Sequence, residues 1–154
     1  MILKSFEDLK NIIEQQKKDG KKIVSTNGCF DVLHRGHVAY LQEAKNMGDI
    51  LVVGLNSDKS VKRIKGESRP INDQESRAFV VDALKSVDFV VVFNEETPIE
   101  MLKIIKPKYH VKGGDYSGKI IESEIVESGG GEIVFVNFID GFSSTKIINK
   151  LNEV

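Results

Sequence analysis

His34 and His37 close the run Asn27-Gly28-Cys29-Phe30-Asp31-Val32-Leu33-His34-Arg35-Gly36-His37. Imidazoles three residues apart on a helical turn are neighbours. A helix start also leaves backbone N–H groups unpaired under the positive end of the macrodipole. Both kinds of donor on one small surface suit an anion, above all a phosphate that gathers charge as it reacts. Two blander readings compete: a metal pair, or two solvated loop side chains. The metal pair is weakened because the third histidine, His110, falls in a later predicted strand and the chain has a single thiol, Cys29. Cys29 and Phe30 read as packing residues. Asp31 reads as an anchor for the loop or a histidine rather than as a base.

Such a site needs a strand before it and a helix after it. Residues 22–27 hold a short apolar run that predicts a buried strand, and 36–47 predict a helix capped by Gly48. Further strands are expected at 50–56, 89–93, 109–112 and 132–137, and further helices at 73–85, 98–105, 120–127 and 144–151. An N-terminal helix starts at Ser5 with Asp8, turns its apolar face through Leu9, Ile12 and Ile13, and stops at Gly20. Thr97-Pro98 supplies the N-cap and first position of a later helix. Continuous Val/Ile runs, rather than strict alternation, predict strands buried on both faces. The expected fold is therefore α/β: a doubly wound, Rossmann-like, five-stranded parallel sheet with helices on both faces, in a single domain. Ligands of such sheets sit beyond the carboxyl ends of the strands. The polar clusters 27–37, 56–58, 112–115 and 141–145 each follow a predicted strand, so they gather at one edge.

The whole-chain numbers narrow the chemistry. A net charge of −1 over 154 residues provides no basic field for nucleic acid or a membrane surface, so any attraction for phosphate is local. The run Phe89-Val90-Val91-Val92-Phe93 is too short to span a bilayer. Glu7 and Asp8 come too early for a secretory leader. One cysteine excludes an internal disulfide and fits a reducing cytoplasm, the expected location.

Gly28 and Gly36 do not make the Gly-x-Gly-x-x-Gly fingerprint of dinucleotide folds, and a Walker loop is absent. What stands in that place is Gly-x-Phe-Asp-x-x-His-x-Gly-His, which resembles the signature of the His-x-Gly-His nucleotidyltransferase superfamily. Asn56-Ser57-Asp58, Lys65-Gly66-Glu67-Ser68-Arg69-Pro70, Lys112-Gly113-Gly114-Asp115-Tyr116 and Gly141-Phe142-Ser143-Ser144-Thr145-Lys146 then follow in order. Together these are similar to the adenylyltransferase module of ADP-heptose synthase, over roughly residues 20–152. The resemblance implies transfer of AMP from ATP to D-glycero-β-D-manno-heptose 1-phosphate. It implies one nucleotidyltransferase domain over 1–154, with an N-terminal helix (1–20) ahead of a catalytic core (21–152). Many similar proteins carry a sugar kinase on the same chain, so a separate heptose kinase is expected here. Similar proteins pair near the 73–85 helix, which makes a homodimer an expectation.

The resemblance also implies the site. His34, His37 and Lys65 would serve catalysis. Asn27, Gly28, Phe30, Gly36, Ser143, Ser144 and Thr145 would hold the nucleotide. Asp31, Asn56, Asp58, Arg69, Gly114 and Asp115 would face the acceptor. Mg2+ would ride with ATP, without a metal site of protein ligands. Taken alone, Lys62, Arg63, Lys65 and Arg69 read as a solvated basic face; after the second strand they read as a mobile segment closing on a triphosphate. Residues 143–145 read as an N-cap and, by resemblance, as phosphate ligands. Arg77 reads as a helix-surface cation pairing with Asp73 or, by resemblance, as a nucleotide-binding or structural residue outside the catalytic set, and His110 as a satisfied core or edge histidine. A sugar-phosphate oxygen is already anionic, so direct in-line attack needs no general base and no protein nucleophile; positioning and electrostatic stabilisation suffice. Two rivals remain: a cytidylyltransferase acting on glycerol 3-phosphate or a similar small phosphate, and a nucleotide-binding module without turnover.

Overall fold

Valine and isoleucine runs become strands here because both of their faces are covered. In the computed structural model, which describes residues 1–114, 118–137 and 143–153, alternate residues of each central strand enter opposite cores. Val24, Leu51, Val53 and Leu55 pack with Tyr40, Leu41, Ala78 and Val81 on one side. Ile23, Val52 and Val91 pack with Leu9, Ile13, Met101 and Leu102 on the other. A period of two therefore appears in the structure as two apolar stripes rather than one apolar and one polar.

The elements run β1 (Ile2–Leu3), α1 (Phe6–Lys18), β2 (Ile23–Gly28), α2 (Arg35–Lys45), β3 (Ile50–Asn56), α3 (Asp58–Lys65), α4 (Gln74–Asp82), β4 (Phe89–Phe93), α5 (Ile99–Ile105), β5 (Tyr109–Gly113), α6 (Ser123–Ser128), β6 (Glu132–Val136) and α7 (Ser144–Asn152). The sheet order is β1-β4-β3-β2-β5-β6, with every pairing parallel. The doubly wound parallel architecture is as the sequence predicts, but the sheet has six strands, not five. The extra strand, β1, pairs Ile2 with Val90 and Leu3 with Val91 at the outer edge. Two residues are too few to produce a periodic signal.

The second departure is α3. Lys62, Arg63 and Lys65, expected with Arg69 as a mobile basic segment, belong instead to a helix over Asp58–Lys65. Ser57 caps it by accepting from the Ser60 N–H, and Ser60 and Val61 are its buried residues. With so narrow an inward face, its Lys and Arg residues conceal the helical period.

The strand order reverses at β2: β3 and β4 lie to one side of it, β5 and β6 to the other. That reversal opens a crevice at the carboxyl ends of β2 and β5. Three hydroxyl contacts close the seam beneath it. Tyr40 Oη of α2 and Thr26 Oγ1 of β2 lie 2.6 Å apart, and both donate to the Val111 carbonyl of β5, at 2.7 and 2.9 Å. Burial raises the Tyr40 hydroxyl pKa far above its usual value, so it remains a neutral donor. No helix among the described residues is long and apolar enough to cross a membrane.

Candidate active site

The crevice is a cavity of about 690 Å³, and its wall brings together residues from seven separate segments. Asn27, Gly28, Cys29, Phe30, Asp31, His34 and His37 come from β2 and the loop to α2. Asn56 ends β3, Lys65 ends α3, and Arg69 follows it. Lys112 and Glu122 come from the β5–α6 side, and Ser143, Ser144 and Thr145 from the start of α7. Among the predicted site residues, Gly36, Asp58 and Gly114 lie outside that lining. Asp115, like Tyr116, Gly141 and Phe142, lies outside the described residues.

The histidine loop is held from within. His34 is the N-cap of α2, and its Nδ1 accepts the Gly36 N–H at 3.1 Å. His37 Nδ1 in turn accepts the His34 N–H at 3.4 Å, which completes a capping box built from imidazoles. A ring nitrogen that accepts a backbone N–H carries no proton, so each neutral ring bears its proton on Nε2, the far edge. The two rings stack with centroids 3.9 Å apart, and Phe30 meets His37 edge-on at 5.4 Å. Burial, then the neighbouring His34, pushes the His37 pKa down to about 4; burial also lowers that of His34. Both are neutral N–H donors near pH 7, not cations.

The loop's backbone is unusual where it must turn. Phe30 has φ +47, a left-handed conformation that costs a non-glycine residue on the order of 1–2 kcal/mol. Its ring folds back so closely that a Cβ at position 28 would lie 3.0 Å from Phe30 Cε2. A side chain at position 28 would press on this ring, which would have to give by a few tenths of an ångström. On the β5 side Gly114 has φ +126, and its N–H donates to the Val136 carbonyl at 2.9 Å.

Asp31 behaves as the anchor its position suggested. Its carboxylate accepts from Arg69 Nε at 2.5 Å, from the Ile71 N–H at 2.8 Å and from the Asn72 N–H at 2.9 Å. Burial opposes ionisation, but the Asn72 and Ile71 N–H groups and Arg69 outweigh it and hold the carboxyl below its usual range. Arg69 is thereby spoken for. Asp58 is likewise committed, accepting from Arg77 Nη2 at 2.8 Å. Asn56 donates through Nδ2 to Ser60 Oγ at 2.9 Å. Ser143 is the N-cap of α7, accepting from the Lys146 N–H, and Ser144 Oγ donates to the Val32 carbonyl at 2.9 Å. The α7 start is thus fastened to the histidine loop as well as lining the cavity. Lys65 is exposed and makes no ion pair among the described residues, whereas Arg69 and Lys112 do.

Two residues escaped the sequence reading. Lys112 joins the wall with Nζ 2.8 Å from Glu122 Oε1 and 3.2 Å from Asn27 Oδ1. Strand pairing is what finds it, because Thr26 faces Val111 and the next residues along are Asn27 and Lys112. Arg77 is not a helix-surface cation paired with Asp73. Its side chain is 1% exposed, and Asp73 instead caps α4 by accepting from the Ser76 N–H. The signal was available in the helical period, since Arg77 and the buried Val81 are four apart and share a face.

His110 is a core histidine, as expected, but only half satisfied. Nδ1 lies 2.8 Å from Ser25 Oγ, while Nε2 is buried with no partner among the described residues. Burial lowers its pKa to about 3.

The chain resembles known proteins over nearly all its length. The model of the cytidylyltransferase-like family matches residues 25–150. The bifunctional protein HldE of Sulfurimonas denitrificans is 54% identical over 150 residues, 97% of this chain and 31% of that protein. That of Aliarcobacter butzleri is 51% identical over 151 residues, with the same 31% share. The chain therefore spans about a third of the length of these curated relatives. Among solved structures, a lipopolysaccharide core biosynthesis protein from Thermoplasma volcanium superposes with a TM-score of 0.64 at 32% identity, covering 78% of this chain and 98% of that one. A pantoate–β-alanine ligase from Francisella tularensis, at 16% identity and a TM-score of 0.66, covers 100% of this chain and 78% of its own and shares the fold.

Proposed function

The chain belongs to the cytidylyltransferase-like family, and on that premise we propose that it joins ATP to D-glycero-β-D-manno-heptose 1-phosphate, giving ADP-heptose and pyrophosphate. One observation carries the chemistry. Two imidazoles with their protons set on Nε2, the start of α2 and Lys65, which makes no ion pair among the described residues, line a single cavity. Similarity to HldE proteins over nearly the whole chain supports the heptose acceptor, as does the motif order shared with ADP-heptose synthase.

An oxygen of the sugar phosphate attacks the α-phosphorus of ATP in line. The bond between that phosphorus and the bridging oxygen breaks, and pyrophosphate leaves with the electron pair. His34 and His37 donate from Nε2 to the α-phosphate as charge accumulates there. Lys65 follows the departing pyrophosphate, and Ser143, Ser144 and Thr145 meet the β- and γ-phosphates. Neutral donors suit the first role because they need no proton transfer. Their value lies in being aimed beforehand, typically about 2.7–4 kcal/mol for each donor removed.

Magnesium enters as part of the nucleotide substrate, neutralising phosphate charge. The donor set fits this: the Asp31, Glu122 and Glu96 carboxylates on the wall are engaged by Arg69, Lys112 and Arg63. A sugar kinase must install the acceptor phosphate in an earlier step, in the reducing cytoplasm that a lone Cys29 suits. A homodimer is supported by Ile71, Phe79 and Val80, exposed together on and beside α4, and sedimentation equilibrium reads it.

The test is pyrophosphate release across ATP, CTP, GTP and UTP, each with heptose 1-phosphate and with glycerol 3-phosphate. ATP with the heptose is the expected pair. Turnover confined to CTP with glycerol 3-phosphate overturns the proposal, and so does ATP binding without pyrophosphate release from any pair.

A further inference from the structure

Arg77 joins four places that the proposed reaction needs in register. Its Nη1 donates to the Cys29 carbonyl in the histidine loop at 2.6 Å and to the Asn56 carbonyl at the end of β3 at 2.8 Å. Its Nε donates to the Asn72 carbonyl at 2.9 Å, and Nη2 to the Asp58 carboxylate, the first residue of α3, at 2.8 Å. We propose that Arg77 is a positioning residue: it fixes α3, and so Lys65, relative to the histidine loop, so that both act on one phosphate chain. This deepens the nucleotidyl-transfer reading and rests on it.

Three features argue for this over a role in stability alone. First, every acceptor lies on a segment that lines or borders the cavity. Helix α4 already has Ala78 and Val81 in the core to hold it down. Second, the fork is planar and rigid, so its bonds fix directions as well as distances, which a lysine ammonium at the same place does not do. Third, the charge is buried with a single carboxylate partner among the described residues, itself 35% exposed. Moving α3 away would strand a buried guanidinium, and that is strongly unfavourable. The Asn72 bond extends the brace, because the Asn72 N–H donates to Asp31, which holds Arg69. Lys65 stands at the far end of an eight-residue helix whose first residue Arg77 grips. With no ion pair among the described residues, the region its ammonium can reach is set by where the helix places its backbone.

The experiment is a double-mutant cycle between Arg77→Lys and Lys65→Ala, read in pyrophosphate release well below each variant's melting temperature. Arg77→Lys is expected to fold and to lower kcat/KM about 100-fold, the order expected when a site is displaced by about an ångström. Lys65→Ala alone is expected to cost about 100-fold. In the Arg77→Lys background it is expected to cost about threefold or less, because the lysine is already out of place. If Arg77 serves stability alone, Tm falls, kcat/KM holds and the Lys65→Ala loss is undiminished; that result overturns the proposal. If Arg77→Lys does not fold, Asp58→Asn runs the same cycle. It unties α3 while leaving the three carbonyl bonds, and the same non-additivity is expected with a smaller loss. A wild-type chain that releases no pyrophosphate defeats the proposed function instead. The cycle is then read in ATP affinity by titration calorimetry, where a Lys65→Ala loss that persists undiminished beside Arg77→Lys still overturns the coupling.

Discussion

The loop from Asn27 to His37 and the helix from Asp58 to Lys65 flank the same cavity and are built on opposite plans. In the loop, the imidazole Nδ1 atoms accept backbone N–H groups, the rings stack, and Asp31 is almost fully buried. In the helix, Lys62, Arg63 and Lys65 are all exposed, and their ion-pair partners, where they have them among the described residues, are surface carboxylates. Neutral donors fixed in place suit the α-phosphorus, which hardly moves during an in-line displacement. An exposed ammonium on a flexible stem suits pyrophosphate, which departs. In the proposed reaction, each region would then take the part that matches its rigidity.

Removing a fixed donor should therefore cost most. His37→Ala is expected to lower kcat by between about 10² and 10³, the range for losing one preorganised donor. A loss below about tenfold, some 1.4 kcal/mol, would break the contrast, because the loop would then be scaffold rather than machinery.

The helix should answer more weakly and differently. Lys65→Ala is expected to cost about 100-fold, at the low end of that range, and Lys65→Arg to recover only part of it, since a planar fork tracks a moving phosphate less freely. Raising salt to about 1 M shortens the screening length to about 3 Å. The Lys65→Ala penalty should shrink under those conditions while the His37→Ala penalty holds. Equal salt sensitivity of the two, measured as kcat/KM ratios, would erase the distinction.

The same contrast explains what could be read in advance. The loop was legible because its candidate donors stand in consecutive residues, and the helix start that His34 caps follows from spacing. Most strands were legible because burial on both faces leaves uninterrupted Val/Ile runs. The basic helix was not, because only Ser60 and Val61 turn inward and its charged residues conceal the period. Arg77 was only partly read, because pairing rules for exposed helices take Asp73 as its partner, when the side chain instead points toward three backbone carbonyls, two of them (Cys29 and Asn56) on distant segments. Backbone acceptors carry no residue signature. Lys112 emerged only once β5 was paired with β2, since strand register joins residues 85 apart. Asp58 was placed on the acceptor by resemblance, and the bond of its Oδ1 to Arg77 Nη2 was not anticipated.

The smallest expected effect concerns acid, and it separates the two regions by titration. The chain has three histidines, and all three have lowered pKa values in the folded state: His37 to about 4, His110 to about 3, and His34 downward by burial. The unfolded chain takes up those protons near 6.5, before the folded one does. Stability therefore rises with pH wherever the unfolded state binds more protons. It is fully present above 6.5 and drains away as pH falls from 6.5 toward 4 and then 3. Asp31, held below its ordinary 3.8, acts only at lower pH. Melting temperatures should thus fall between pH 7 and pH 5. A variant carrying Ser25→Ala with His110→Leu, which removes the buried pair together, should fall less steeply. Imidazole signals followed by NMR should keep the His37 ring neutral down to about pH 5. An inflection near 6.5 for that ring would mean that the loop presents a cation after all, and its supposed stillness would then be no different in kind from the charge on α3.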